Sequence, residues 1–189
     1  MKNWLRQIIN FLPLVTIGTI VYSLPKFTNQ DKSHSLLSIP QFRQLPSTKV
    51  WQVVKVFDGD TIAVSRGMEK QKIRFACIDA PEKAQPLGQQ SKANLQRLIT
   101  RANGKVLLMI VDTDSYGRKV AEVFTSNNGA ETFLQEEQLK AGLAYVYEQY
   151  IDNCLNTEPL RSAQAIAKSN HVGVWAGNNI KPWDYRKEK

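Results

Sequence analysis

Four short clusters in this 189-residue chain set charged residues beside turns. The first is Phe57-Asp58-Gly59-Asp60-Thr61. In the second, Arg74 leads into Ile78-Asp79-Ala80-Pro81-Glu82. The third is Asp112-Thr113-Asp114-Ser115-Tyr116-Gly117-Arg118, and the fourth is Gly142-Leu143-Ala144-Tyr145-Val146-Tyr147. Hydrolysis of a phosphodiester calls for a hard cation on oxygen ligands. It also calls for cationic forks on the non-bridging oxygens and a group that positions or deprotonates water. Asp60, Asp79 and Glu82 are suitable oxygens, and Arg74 and Arg118 are suitable forks. The chain has two histidines, His34 and His171, and two cysteines, Cys77 and Cys154. Neither a three-histidine nor a four-cysteine metal set can be assembled from them. If a general base is needed, it must be a carboxylate.

Each cluster has a plainer reading. Asp58-Gly59 is a common hairpin turn. Asp79 to Glu82 could be a strand exit followed by a solvated helix start, and Arg118 a surface residue opening a strand. What argues for chemistry is the occurrence of all of them in one order.

The elements that must position these residues can be read from the pattern. Val50–Val56 is rich in β-branched residues and bounded by Asp58-Gly59. Thr61–Ser65, Lys72–Ile78, Lys105–Val111 and Arg118–Thr125 are further strands, the last alternating Val120, Glu122 and Phe124 with Ala121 and Val123. The strand Lys72–Ile78 would carry Arg74 straight to Asp79, so that one element places both. Asn127-Asn128-Gly129 is a turn. Helices are expected over Gln89–Arg101, with Ser91, Leu95, Leu98 and Ala102 on one face, over Glu131–Ala141 with a stop at Gly142, and over Pro159–Lys168 with Leu160, Ala163, Ile166 and Ala167 inward. The class is α+β, mainly β: a five-stranded Greek-key barrel of the oligonucleotide/oligosaccharide-binding (OB) type with three helices.

The barrel is expected to follow a targeting segment and a linker. Residues 1–24 have Lys2 and Arg6 ahead of the 17-residue uncharged stretch Ile8–Leu24, which reads as a signal peptide or a membrane anchor. Val21-Tyr22-Ser23 offers a cleavage site. Residues 25–46, with Pro25, Pro40 and Pro46, read as a linker. The domain is expected over 47–180 and a basic tail over 181–189. The positive n-region stays inside and the rest is translocated, which makes the protein secreted, periplasmic or anchored outside the cytoplasm. The net charge of +8 divides evenly, because residues 1–46 hold five Lys/Arg and one acid. The domain itself is therefore only mildly basic, which is compatible with an anionic partner. In an oxidising compartment Cys77 and Cys154 could pair, or each could be an unrelated thiol. No repeat or obligate dimer is suggested, so a monomer is expected.

The strings VFDGDT, IRFACIDAPE, DSYGR, the AGLA ahead of Tyr145, and GVW at Gly173–Trp175 run in this order over roughly residues 48–176. Together they resemble the staphylococcal nuclease (thermonuclease) family. The resemblance implies a five-stranded OB-type barrel with three helices and endonucleolytic cleavage of DNA or RNA. The P–O5′ bond breaks, leaving 3′-phosphate ends. It implies Ca²⁺ as cofactor, with Asp60 and Asp79 as carboxylate ligands and Ala80 as a ligand through its backbone carbonyl. Glu82 matches the acid that orients or deprotonates water, and Arg74 and Arg118 match the arginines on the scissile phosphate. Tyr145 and Tyr147 resemble tyrosines that stack on the nucleotide. The stretch after Ala144 is shorter than in the best-known member, so both could instead be strand residues facing the core. Tyr116 is the better candidate for a pocket wall. Ser115 stands where that member has a Lys on the terminal phosphate. The alternative is a non-catalytic nucleic-acid-binding barrel, but here no acid or arginine of the set is missing.

Overall fold

The computed structural model describes residues 49–127 and 129–188. The expected targeting segment, the linker and Asn128 lie outside the described residues. Among the described residues no helix is long and apolar enough to cross a membrane.

In chain order the strands are β1 (Val50–Val56), β2 (Thr61–Arg66), β3 (Glu69–Phe75), β4 (Ile78–Asp79), β5 (Lys105–Thr113), β6 (Lys119–Asn127), β7 (Ala130–Phe133) and β8 (Tyr145–Val146). The helices are α1 (Gly88–Arg101), α2 (Leu134–Lys140), α3 (Thr157–Ser169) and the single turn α4 (Pro182–Tyr185). Strands β3-β2-β1-β5-β6 lie side by side, and a parallel β3–β6 pairing closes them into a five-stranded barrel. Strand β7 continues the sheet beyond β6, and β4 pairs with β8 in a separate two-stranded ladder.

The barrel is filled by Ile62, Val64, Ile73, Phe75, Ala121 and Val123, all 0–1% exposed. Leu95 from α1, Leu134 and Leu139 from α2 and Leu160 from α3 join the same core. Each of the Val, Ile, Leu and Phe side chains contributes about 1.5–3 kcal/mol by leaving water. This common core ties the helices to the barrel end that carries the charged clusters.

Three local expectations are corrected. The strand expected over Lys72–Ile78 is two strands, because Cys77 adopts φ +61° in the left-handed region and breaks the ladder after Phe75. The break is held from both sides. Ala76 N donates to Ala121 O at 2.8 Å and Tyr147 N donates to Cys77 O at 2.9 Å. Cys77 and Cys154 form a disulfide there, which resolves the pairing that the sequence left open. In the expected helix Glu131–Ala141, residues 131–133 belong to β7 instead, with Thr132 opposite Thr125 and Phe133 opposite Phe124. The two Phe rings stack at 4.7 Å, and the helix begins only at Leu134. Ile166, expected inward, is exposed, because it lies about 100° round α3 from the buried Leu160–Ala163–Ala167 face. Gly142 stops α2 as expected, with φ +63° and its N–H on Leu139 O.

Strand β6 also differs from a simple two-faced strand, since residues 121–125 are all buried. Glu122 is an acid with no exposure. Its carboxylate accepts from Leu155 N and Asn156 N, each at 2.9 Å, and from Asn156 Nδ2 at 2.6 Å. These three donors offset its desolvation and fix the loop after Cys154.

Candidate active site

The first carboxylate is delivered by the β1–β2 hairpin. Its turn is set locally, because Asp58 Oδ1 accepts the Asp60 N–H at 3.0 Å. Burial pushes the Asp58 carboxyl above its usual range, against the pull of the Arg74 charge. Helix α1 presses directly on Gly59, where a β carbon would lie 1.8 Å from Ser91 Oγ. Only glycine allows this approach, and Gln138 Nε2 of α2 closes it by donating to Gly59 O at 2.7 Å. Asp60 is thereby sunk to 2% exposure. Its Oδ2 accepts Ala80 N–H at 2.6 Å and its Oδ1 accepts the Thr61 hydroxyl at 3.1 Å.

Arg74 sits on β3 opposite Thr61. Its guanidinium pairs with Asp60 Oδ1 through Nη1 and with Asp79 Oδ1 through Nη2 at 2.6 Å. One cation therefore bridges two buried carboxylates that would otherwise repel each other. Asp79 reaches Arg74 from β4, across the kink at Cys77. The β4–β8 ladder, with Asp79 opposite Tyr145, fixes its height.

Glu82 stands on a turn held by Gln85. Gln85 Oε1 accepts Glu82 N–H at 2.7 Å, and Gln85 Nε2 donates to Ile180 O at 3.0 Å. Arg118 comes from the β5–β6 loop, where Asp114 Oδ1 accepts the N–H groups of Tyr116 and Arg118 at 3.0 and 2.9 Å. Arg118 Nε donates to Asp114 Oδ2 at 2.6 Å. Burial pushes the Asp114 carboxyl up, but the hydrogen bonds and charge of Arg118, with the Tyr116 N–H, together outweigh it and hold the group below its usual range. Among the described residues Nη1 and Nη2 of Arg118 have no hydrogen-bond partner, so the end of this fork is open to an anion.

Asp60, Arg74, Ala80, Glu82, Arg118, Tyr116 and Tyr147 line one cleft of about 850 Å³. Asp79, wholly buried, lies directly behind it. Tyr116 is 84% exposed, with the Arg118 guanidinium 5.5 Å above its ring. Tyr145 does not reach this cleft. It is 3% exposed, edge-on to Trp175 at 5.1 Å and Trp183 at 5.7 Å, and these two rings cover it. Tyr147 borders the cleft and stacks on Trp183, with centroids 5.2 Å apart and planes 1° apart.

The stretch 181–189, expected as a tail, carries a residue that sequence reasoning missed. Arg186, just past α4, donates from Nη2 to Asp79 Oδ2 at 2.7 Å and from Nη1 to Asp79 Oδ1 at 3.2 Å. The same Nη1 reaches Glu82 Oε1 at 2.7 Å. Nothing in the local pattern marked it out from Arg161 or Lys187, although Trp183 nearby was a sign of packing.

The donor set suits a hard cation. Asp60 and Asp79 are buried carboxylates on adjacent elements, and Ala80 adds a carbonyl oxygen. Both carboxylates are already neutralised by guanidinium groups standing in as positive charge. Among the described residues no three acidic, imidazole or thiol side chains converge tightly enough to hold a metal by themselves. The remaining ligands would have to be backbone oxygen and water, which is normal for Ca²⁺.

The sequence matches the family described as Staphylococcal nuclease homologue over residues 72–177, more than half of the chain. The chain belongs to the staphylococcal nuclease family. The matched span of this staphylococcal nuclease homologue contains Arg74, Asp79, Ala80, Glu82 and Arg118, while Asp60 precedes it. It is 36% identical over 140 residues to a protein of Haemophilus influenzae named Uncharacterized endonuclease, covering 73% of either chain. An Escherichia coli O157:H7 protein of the same name is 34% identical over 73% of this chain and 85% of its own. A probable staphylococcal-like nuclease of Oryza sativa subsp. japonica is 28% identical over 86% of this chain, which spans only 43% of that longer protein.

Proposed function

We propose that this nuclease is a Ca²⁺-dependent endonuclease of DNA and/or RNA that leaves 3′-phosphate ends. The observation that carries the reading is the convergence of Arg74 and Arg118 with Asp60, Asp79 and Glu82 at one cleft. Asp60, Asp79 and the Ala80 carbonyl would hold Ca²⁺, which when bound supplies positive charge beside the phosphate. Glu82 orients the attacking water and takes its proton as the water oxygen bonds to phosphorus and the P–O5′ bond breaks, its electron pair leaving on O5′, which takes a proton from solvent water. Arg74 and Arg118 grip the non-bridging oxygens and stabilise the charge that grows on them. Tyr116 forms a wall of the substrate cleft, and Tyr147 offers a ring edge for a base.

The test is incubation of the purified protein with single-stranded DNA and RNA in Ca²⁺, Mg²⁺ or chelator, with end-group analysis of the products. The expected result is Ca²⁺-dependent internal cleavage to 3′-phosphates, reduced about 10²–10³-fold in Glu82→Gln. Salt-sensitive binding with no cleavage above Glu82→Gln would reject this reading and favour the non-catalytic alternative.

The nuclease is also proposed to act outside the cytoplasm. The basic n-region with the uncharged stretch Ile8–Leu24 supports this, as does the Cys77–Cys154 disulfide. Mass spectrometry of the protein from its native host checks the point. An N-terminus near Pro25, or an intact chain in the membrane fraction, is expected. A full-length soluble cytoplasmic product would rule it out.

A further inference from the structure

Asp79 has no direct opening to the cleft. Its two oxygens are covered by two guanidinium groups, Arg74 from β3 and Arg186 from the C-terminal segment. Arg186 makes a fork-to-fork contact, one nitrogen on each oxygen, and carries the same charge on to Glu82. Burial works against the guanidinium charge, but the hydrogen bonds to Asp79 and Glu82 outweigh it and hold the group firmly protonated. Arg74 lies on a barrel strand and is fixed by the ladder. Arg186 lies beyond a four-residue helical turn, and its side chain is 40% exposed. Of the two cations on Asp79, only Arg186 can withdraw without disturbing the barrel.

The segment that brings Arg186 is docked by a few side-chain contacts. Trp183 stacks on Tyr147 and takes the Lys181 ammonium at 5.3 Å over its ring, and Gln85 ties Ile180 to the Glu82 turn. Gln85 and Tyr147 both adjoin the catalytic cleft, so the segment and the cleft share their supports.

We propose that Arg186 is a built-in counter-ion of the cation site, which competes with the divalent cation for Asp79 and couples cation entry to release of residues 181–187 from the cleft. The proposal rests on the reading of Asp79 as a cation ligand. An arriving dication needs an oxygen of Asp79 that Arg186 holds, and it repels a guanidinium at that distance. By linkage, whatever factor Arg186 subtracts from cation affinity, the cation subtracts from docking of the segment. Before the cation arrives, Arg186 holds the Asp79 and Glu82 side chains in place through its hydrogen bonds.

The experiment is titration calorimetry of the full chain with CaCl₂ alone, comparing wild type, Arg186→Gln and Arg186→Lys. Hydrogen exchange of residues 181–187 is measured with and without the ion. Arg186→Gln is expected to bind Ca²⁺ about tenfold more tightly. Arg186→Lys falls between, since it keeps the charge and loses the fork. Ca²⁺ should speed exchange of residues 181–187 in the wild type. Equal or weaker Ca²⁺ binding by Arg186→Gln, with its thermal unfolding still cooperative, overturns the proposal and leaves the cation reading intact. So does slower exchange, or none of the expected change, at 181–187. Absence of Ca²⁺ binding by all three proteins overturns the cation reading and this proposal together.

Discussion

Arg118→Ala is expected to lower cleavage about 10²–10³-fold while leaving thermal stability nearly untouched. The Arg118 side chain lies over the Tyr116 ring and pairs with Asp114, an ion pair whose side chains are 27% and 19% exposed. Breaking such a pair near the surface costs about 0–1 kcal/mol. Among the described residues its terminal nitrogens have no hydrogen-bond partner, so on the proposed reading what the substitution removes is the contact with substrate. Arg118→Lys should also be poor, because an ammonium cannot reproduce the planar fork. Arg74→Ala is expected to behave differently. It would strand Asp60, whose side chain is 3% exposed, while Asp79 keeps Arg186, and an uncompensated buried charge of this kind costs about 3–5 kcal/mol. Initial rates on a defined oligonucleotide, paired with circular-dichroism melts, separate the two cases. An Arg118→Ala enzyme that keeps its rate within about threefold would remove Arg118 from the phosphate.

Loss of the disulfide is expected to cost about 4 kcal/mol and about 10–15 °C in Tm. Cys77 and Cys154 are 77 positions apart, so the bond removes a long loop from the freedom of the unfolded chain. It also pins the one residue in the β3–β4 connection with a left-handed backbone. Calorimetry of the protein with and without reductant, and of Cys77→Ser with Cys154→Ser, checks this. An unchanged Tm in both would show that the surrounding contacts suffice.

The charged clusters of the site were legible in the sequence because turns are written locally. Asp58, Gly59 and Asp60 set their own hairpin, and Asp114 organises its loop through the next four residues. The barrel was legible because the β-branched runs are distinct and the intervening helices carry single apolar faces. The break at Cys77 was not, since a φ of +61° at a cysteine is imposed by a distant partner strand and by Cys154 rather than by local preference. The strand at Ala130–Phe133 was missed for the same reason: its helix-like composition yields to the free edge of β6. The exclusion of Tyr145 from the cleft depends on the pairing of Ile78 with Val146, a register that no single segment encodes. Arg186 was hidden because its meaning lies in Asp79 and Glu82, over a hundred positions earlier.

The parallel seam between β3 and β6 has a kinetic consequence. Arg74 lies opposite Val120 in that seam, and Arg118 lies just before β6 begins. The spacing of the two arginines is therefore set by main-chain hydrogen bonds between strands that are far apart in sequence. Such non-local pairings form late, after shorter hairpins have condensed. A refolding chain can hold every one of its turns and still lack a working pair of arginines until the last edges meet. Recovery of cleavage after dilution from denaturant thus reports the final step of folding, and spectroscopic signals from the hairpins should run ahead of it.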